Sequence, residues 1–470
     1  MNRYQQLATD IKQLIENETW RAGEKIPSVR VMSRSVSVSA STVLQAYQLL
    51  ESEGWIKAKP QSGYFVSPDM ERGHAPPVEH HFSQTEYKDE LYEYLRNSSQ
   101  VDAPLGLALP DSGLYPFQTL TRHLASAGRK MPANSAVSDL PPGNEQLRRL
   151  IAQRYLRNGV VVSHQDIVIT SGAMEALNLS LQVVSKPGDH VVIEDPVFYG
   201  AIEATQRNQL VAVPVTVEPC NGIDLEGLEN AFQRKSVSVC WLMPNYQNPT
   251  GALYSDKSKK TIVELANQYD VNIIEDDVYS ELHFSANQPK PLKYWDEHDR
   301  VLLCGSFSKS LCPGYRIGWV VNRKLSERLQ KQQLLSTLSS SFPIQQGVAH
   351  YLQYESYDNH LRKLRKELCL RQKQYTKFIE ATFPSGTQIF APNGGYFLWL
   401  KLPEQLRISA IYQQLISEGI SFGYGSLFSA QGRYQNYIRL NISFELNAKT
   451  ESALQRIAER VHTQLFGDLS

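Results

Sequence analysis

The chain has 470 residues, with 48 Lys+Arg against 48 Asp+Glu and a formal net charge of zero; the length suggests roughly two or three domains, and the balance excludes a whole-chain basic signature for nucleic acid, so any DNA-binding patch must be local. Hydrophobic residues make up 41%, an ordinary fraction for cored domains, and no apolar run approaches the roughly 20 residues that span a bilayer, so no membrane partner is expected. The five cysteines (Cys220, Cys240, Cys304, Cys312, Cys369) are scattered, with no CxxC pair and no Cys/His cluster, which points to neither a disulfide framework nor a metal site and fits a reducing, cytoplasmic setting.

The opening segment, MNRYQQLATDIKQ, is polar and amphipathic rather than a signal peptide. Tyr4, Leu7, Ile11, Leu14 and Ile15 recur at helical spacing and predict a helix over about 3–17. Trp20 and then Ala22-Gly23 end it. A proline turn follows in EKIPSVR, where Pro27 suits a helix start and Ser28 can cap its free amides. That short helix is expected to run to about Ser35. The small polar run VSVSAS turns the chain into a further helix over about 41–52, ended by Gly54. Its Val43, Tyr47 and Leu50 share one face, and Ser41, Gln45, Gln48 and Ser52 another. WIKAKPQSGYFV alternates around a Pro-Gln-Ser-Gly turn and reads as a two-stranded hairpin.

Three helices and a hairpin make a winged helix-turn-helix over residues 1–68. Its last helix can lie in a major groove while the hairpin tip reaches a flanking minor groove. Arg30, Arg34, Lys57 and Lys59 fall on the turn, the second helix and the wing, where phosphates would lie. This segment resembles the GntR family of bacterial repressors. The matching residues are Tyr4-Gln5-Gln6-Leu7, Gly23 through Arg30 (GEKIPSVR), Ser41-Thr42-Val43, Tyr47-Gln48-Leu49-Leu50, Glu53-Gly54 and Ser62 through Val66 (SGYFV). The resemblance implies double-stranded operator DNA as partner, contacted by Ser28, Arg30, Ser41, Thr42, Ser62 and Gly63.

Residues 69–102 lose the pattern and read as a polar linker. HAPPVEHH brings three histidines together with nothing to fix a coordination geometry, and QTEYKDELYEYLRNSS carries a short helix signal. From about Ala103 onward strands and helices alternate: DIVIT then GAMEALNLSLQVV, HVVIED then YGAIEATQRN, VSVCWLM, TIVELANQY then NIIED, and VLLCGSF. Such alternation predicts an α/β domain on a mostly parallel sheet, with ligands at the carboxyl ends of the strands.

The residues at those ends are chemically specific. Ser171-Gly172-Ala173 follows a strand and opens a helix, whose free amides can hold a phosphate. Phe198-Tyr199 offers a ring to stack on a planar cofactor. Asn248, before Pro-Thr-Gly, can donate to a phenolate oxygen, and Asp276 ends NIIED, where a carboxylate keeps a heterocyclic nitrogen protonated. Ser306 and Ser308 flank Lys309, and Arg316 follows. A lysine amine can form a Schiff base with an aldehyde, while hydroxyls and a guanidinium fork suit a phosphate. Together these parts describe pyridoxal 5′-phosphate.

Residues from about 103 to 470 resemble a class I aminotransferase of fold type I. The resemblance rests on SGAMEAL, EDPVFYG, QNPTG, EDDVYSE, GSFSKSLCPGYRIGW, PNGGYFLWL and YIRLN. It implies that Lys309 carries the Schiff base, Asp276 pairs with the ring nitrogen, and Asn248 and Tyr279 hold the phenolate oxygen. Phe198 stacks on the ring, with Tyr199 the alternative. Ser171, Gly172, Ala173, Ser306, Ser308 and Arg316 hold the phosphate, Arg439 binds a substrate or effector carboxylate, and Asn393-Gly394-Gly395 begins a strand bordering the site. A large sheet domain over about 145–325 is implied, with a small domain from about 326–470 plus the segment before 145. Two positions depart from the family pattern: Ser138 stands where a Tyr often reaches the neighbouring subunit's phosphate, and Tyr246 where a His is common.

A GntR-type winged helix fused to an aminotransferase-like domain resembles the MocR subfamily of bacterial regulators. That resemblance implies a homodimeric transcription factor that senses pyridoxal 5′-phosphate, or a small amine or amino-acid effector, at Lys309. The alternative is a working aminotransferase with an appended DNA-binding module.

Overall fold

In the computed structural model, which describes residues 2–68, 89–135, 139–234 and 236–467, the first apolar stripe forms helix α1 (Arg3–Glu16), which buries Leu7, Ala8 and Ile11. Asn2 and Gln5 cap it reciprocally. Helix α2 (Val29–Ser35) starts from Ser28, whose hydroxyl accepts the Val31 amide at 3.4 Å. Pro27 therefore precedes the cap rather than opening the helix, and its carbonyl accepts the Tyr47 hydroxyl at 2.6 Å. Helix α3 (Ala40–Ser52) is capped by Ser39 and buries Val43, Ala46, Tyr47 and Leu50. Strands β1 (Ile56–Lys59) and β2 (Gly63–Val66) pair antiparallel, Ile56 opposite Val66. These buried side chains, with Ile26, make one small core. Burial of each large aliphatic stabilises it by about 1.5–3 kcal/mol.

The described residues divide into two compact units, on either side of the boundary between residues 87 and 88. Of the segment read as a linker, 69–88, with all three histidines, lie outside the described residues. The following stretch forms helix α4 (Glu90–Ser98), part of the second unit. Its Tyr94 is buried and donates to the Gly106 carbonyl at 2.6 Å, while Glu90 accepts the Tyr424 hydroxyl at 2.8 Å. The short helix signal in this stretch thus reflects a helix anchored by its tyrosine.

Strand β3 (Ala103–Pro104) leads into helices α5 (Phe117–Arg129) and α6 (Glu145–Arg157). The large sheet then takes β4 (Ile167–Thr170), β5 (His190–Asp195), β6 (Val211–Glu218), β7 (Gly222–Ile223), β8 (Val237–Leu242), β9 (Asn272–Asp276), β10 (Val301–Ser306) and β11 (Gly318–Val321). Their order is β4-β11-β10-β9-β8-β5-β6-β7. The run from β10 to β6 is parallel, whereas β11 lies antiparallel to both its neighbours and β7 to β6. Helices α7 (Ala173–Val184) and α8 (Tyr199–Arg207) follow β4 and β5. The central strands are buried almost throughout, as expected where both faces of a parallel sheet are covered.

A second sheet holds β12 (Gln388–Phe390), β13 (Phe397–Lys401), β15 (Gly423–Tyr424) and β16 (Tyr437–Asn441). Strand β14 (Ile420–Ser421) pairs parallel with β3, which joins the stretch after α4 to this layer. The helix Ser326–Ser336 packs on α7 and β4 of the large sheet, so the smaller layer is assembled from chain beyond it. Among the described residues no helix is long and apolar enough to cross a membrane.

Candidate cofactor and ligand site

The carboxyl ends of β5, β9 and β10 place Asp195, Asp276 and Ser306 along one edge of the large sheet, and Asn248 follows β8. Asp276 is buried, and its Oδ1 has no hydrogen-bond partner among the described residues. Burial, reinforced by Asp277, pushes its carboxyl up to about 7, and the Lys309 ammonium opposes the shift. An orphaned buried acceptor is costly unless something donates to it, and a protonated ring nitrogen meets that need. Its neighbour Asp277 is saturated, accepting from Asn245 Nδ2 (2.7 Å) and Ser280 Oγ (2.7 Å). Asn245 is in turn fixed by buried Lys259, whose Nζ donates to Asn245 Oδ1 (2.6 Å) and the Lys290 carbonyl (2.9 Å). This chain leaves Asp276 the one open carboxylate of the pair.

Lys309 lies in the turn after β10, and its Nζ donates to the Ala108 carbonyl at 2.6 Å. Burial lowers its ammonium to about 8, opposed by Asp276 and aided by Arg316 and Arg439. The turn itself is clamped. Tyr115 donates to the Lys309 carbonyl (2.9 Å), and His360 Nε2 to the Ser310 carbonyl (2.8 Å). The Tyr357 hydroxyl bridges Ser310 Oγ (2.7 Å) and Glu281 (2.6 Å), and Glu281 pairs with Arg154 at 2.7 Å.

At the start of α7, Gly172 is the N-cap with φ +92° and ψ 171°, a conformation essentially restricted to glycine. A Cβ there would lie 2.7 Å from Arg316 Cζ. The guanidinium reaches Ser308 Oγ (3.4 Å) and the Ser171 carbonyl (3.5 Å). Ser306 Oγ lies 2.9 Å from Ser308 Oγ and accepts the Ser308 amide at 3.0 Å, and Ser171 Oγ is 3.1 Å from Ser340 Oγ. Arg316, Ser308, Ser306, Ser171 and the first-turn amides of α7 from Ala173 therefore converge on one cradle, a helix N-terminus with a guanidinium across it. Its donor set matches a phosphate.

Arg439 on β16 is wholly buried. It donates to Asn248 Oδ1 (2.6 Å) and to the Gly106 carbonyl, and lies against the rings of Phe397 (4.5 Å) and Phe428 (4.7 Å). Its Nε has no partner and no carboxylate pairs with it among the described residues. A buried, unpaired guanidinium is an open anion site. Tyr279 is buried against Tyr396 (5.5 Å) and Phe397 (5.7 Å), and burial raises its phenol. Phe198, half-buried, meets Tyr199 at 4.7 Å, and Tyr199 packs into the core beside Phe428 (5.9 Å).

Asn393-Gly394-Gly395 precedes β13 and ties back to the segment after β9: Gly395 donates to the Leu282 carbonyl (3.0 Å) and Phe284 to the Asn393 carbonyl (3.0 Å). Tyr246 accounts for Gly394, because a Cβ there would overlap its ring, whereas Gly395 takes a positive φ of +71°. Ser138 lies outside the described residues. Among the described residues no group of three His, Cys, Asp or Glu could hold a metal ion.

The segment 103–111 was invisible to sequence reasoning as part of the site. Its carbonyls take Arg439 (Gly106), Lys309 and the Tyr396 hydroxyl (Ala108), and the Asn441 amide (Leu107 and Leu109). These are main-chain acceptors over 200 residues from their donors, and they leave no trace in residue type.

In the first unit, Ser28, Arg30, Ser41 and Ser62 are exposed, and Thr42 and Gly63 half-buried. Arg30 stands in the first turn of α2, and Ser62 and Gly63 form the hairpin tip. The Ser28 hydroxyl is engaged in its cap, and those of Ser41 and Thr42 each lie 2.8 Å from Ser39 Oγ.

Comparison with known proteins agrees with both halves. Residues 111–460 match the aminotransferase class I and II family, and residues 3–66 match the bacterial regulatory proteins of the gntR family. The chain belongs to the aminotransferase class I and II family and carries a gntR-family domain at its N-terminus. This domain order is the one found in the MocR subfamily. The chain is 42% identical, over 99% of its length and all of the relative's, to the uncharacterized HTH-type transcriptional regulator YdcR of Escherichia coli. It is 36% identical over 98% of its length, and 99% of the relative's, to YjiR of the same organism. Among solved structures it resembles Pyrococcus horikoshii kynurenine aminotransferase in complex with PMP, with a TM-score of 0.74 and 28% identity over 80% of this chain and 95% of that one. The cofactor of the family, pyridoxal 5′-phosphate, fits the open acceptor at Asp276, the cradle at Gly172 and the amine at Lys309.

Proposed function

We propose that this chain is a DNA-binding transcriptional regulator that acts in the cytoplasm as a homodimer and responds to an amine or amino-acid effector at its pyridoxal 5′-phosphate site. The observation that carries the reading is the pairing, in one chain, of a winged helix with a buried site that brings together Lys309, Asp276 and the Gly172–Arg316 cradle and, at Arg439, a guanidinium without a counter-ion.

When bound, the cofactor supplies an aldehyde that condenses with primary amines and a ring that draws electrons from the adjacent carbon. The rest falls to the protein. Lys309 presents an amine whose lowered pKa leaves a sizeable neutral fraction near pH 8. The Asp276 carboxylate would hold a proton on the ring nitrogen, and the Asn245–Lys259 chain keeps Asp277 engaged elsewhere. Asn248 and Tyr279 would hold the phenolate oxygen, Phe198 or Tyr199 would offer a ring to stack on it, and the cradle from Ser171 to Ala173 with Ser306, Ser308 and Arg316 would hold the phosphate. Arg439 selects ligands that carry a carboxylate, which would replace the Gly106 carbonyl. That carbonyl also accepts from Tyr94 of α4, so a ligand at Arg439 acts on the helix that begins the second unit.

The intact Lys309, Asp276 and Arg439 set also supports a second reading, a working aminotransferase. One titration separates the two: the visible spectrum of the loaded protein against a panel of amino acids and amines, with and without a keto acid. A spectral shift without product supports the regulator. Keto-acid-dependent product at about 1 s⁻¹ or faster supports the enzyme.

A further inference from the structure

Helix α3 spans Ala40–Ser52, and its buried side chains Val43, Ala46, Tyr47 and Leu50 fix the opposite face outward. At about 100° per residue, Ser41, Leu44, Gln45, Gln48 and Ser52 fall within one sector about 100° wide on that face, and all five are exposed. The helix, ASTVLQAYQLLES, has no Lys or Arg, and its single charged residue is Glu51. That carboxylate turns to the wing, where it accepts the Ala58 amide at 2.8 Å. The exposed face is therefore uncharged. It is also partly apolar, because Leu44 is 40% exposed although the core beneath it is closed. The cations of the unit all lie off α3, and four of them, Arg30 and Arg34 on α2 and Lys57 and Lys59 on β1, are exposed on the elements that pack against it.

This division separates phosphate contact from base reading. Guanine is read in the major groove chiefly by arginine or lysine, adenine by the paired donor and acceptor of a glutamine or asparagine amide, and the thymine methyl by an apolar side chain. A helix face without a cation cannot make the usual guanine contact. From Ser41 to Gln48 it covers about 10 Å at 1.5 Å per residue, or about three base pairs.

We propose that α3 reads an A·T-based core in each half-site, with Gln45 against an adenine edge, Leu44 against the methyl of a neighbouring thymine and Gln48 extending the adenine contact. The surrounding cations are placed to neutralise phosphates. The proposal rests on the DNA-binding reading above and specifies which bases it selects.

The test is selection of duplexes from a randomised pool by the full-length protein loaded with pyridoxal 5′-phosphate, at fixed salt, followed by titration of the enriched duplex. A core of about three consecutive A·T pairs is expected. Replacing thymines in it by uracil, which removes only the methyl, should weaken binding about fourfold, and Leu44→Ala should abolish that difference. Gln45→Ala should reduce discrimination against a G·C substitution by about fivefold or more, and Gln45→Arg should move the preference toward guanine. Both residues are exposed, so the variants should melt as the parent does, and the uracil arm needs no variant at all. A G·C core, or an A·T core indifferent to uracil and to Gln45→Ala, overturns this inference while DNA binding stands. Failure to retain any duplex at low salt overturns the DNA-binding reading and this inference with it.

Discussion

Replacing Gly172 by alanine tests the phosphate cradle at its tightest point. Two costs follow from the structure. At φ +92° and ψ 171° an L-residue is strained by about 1–3 kcal/mol. The new methyl would also sit 2.7 Å from Arg316 Cζ, too close to coexist with it. The backbone here is pinned by Gly318, whose own Cβ position is 2.7 Å from the Ala173 nitrogen, so the arginine must move. Its bonds to Ser308 and Ser171 are long, at 3.4 and 3.5 Å, and yield cheaply. What is lost is its place opposite the helix amides, and with it a charge-assisted contact of about 1.5–3 kcal/mol. The cofactor should therefore bind about 10- to 150-fold more weakly, measured by fluorescence titration, with inorganic phosphate losing its ability to compete. Gly188→Ala is the control, since it shares a positive φ of +89° but meets nothing within 4 Å, and so should cost stability without affinity. Combining Gly172→Ala with Arg316→Ala should cost less than the sum of the two, because both remove the same guanidinium. Cofactor affinity within threefold of the parent in folded Gly172→Ala, or strict additivity in the double variant, would refute the cradle.

Three further outcomes follow from the same geometry. Because Lys309 is lowered to about 8, its neutral amine dominates above that pH, so the rate of cofactor uptake should rise with pH and level off just above 8 rather than near 10 as for an ordinary lysine; stopped-flow absorbance reads it, and a plateau near 10 would contradict the burial argument. The Asp276 carboxyl is raised to about 7, so in cofactor-free protein its contribution to stability is present below about pH 4 and lost as pH rises through 7; Asp276→Asn should flatten that slope, by up to about 3 kcal/mol between pH 5 and pH 8, in denaturant titrations at those two values. Arg439→Met should leave the fold as stable or more so, since it removes a buried charge without a counter-ion, while carboxylate-bearing effectors lose about 10-fold or more relative to their decarboxylated amines in the spectral titration; equal loss for both classes would show that Arg439 does not read the carboxylate.

Residue type and spacing alone determined much of this protein. The helical stripe of Tyr4, Leu7 and Ile11, the two faces of α3, and the alternation of strands and helices after Ala103 follow from burial at fixed periods, which is a local property. The placement of Gly172, Asp276 and Lys309 at or just after strand ends was also legible, because each follows an apolar run that stops there. Tertiary structure decided the rest. The helix Glu90–Ser98 looked like tether until Tyr94 found the Gly106 carbonyl. The helix Ser326–Ser336 stayed with the large sheet because its partners lie on α7 and β4. Tyr246 gained its explanation only from Gly394, 148 positions later in the same numbering. The acceptors that hold Lys309 and Arg439 are main-chain carbonyls of 106–108. Every residue carries such a carbonyl, so side-chain chemistry cannot mark which ones will matter; only the folding of a distant segment across the strand ends selects them.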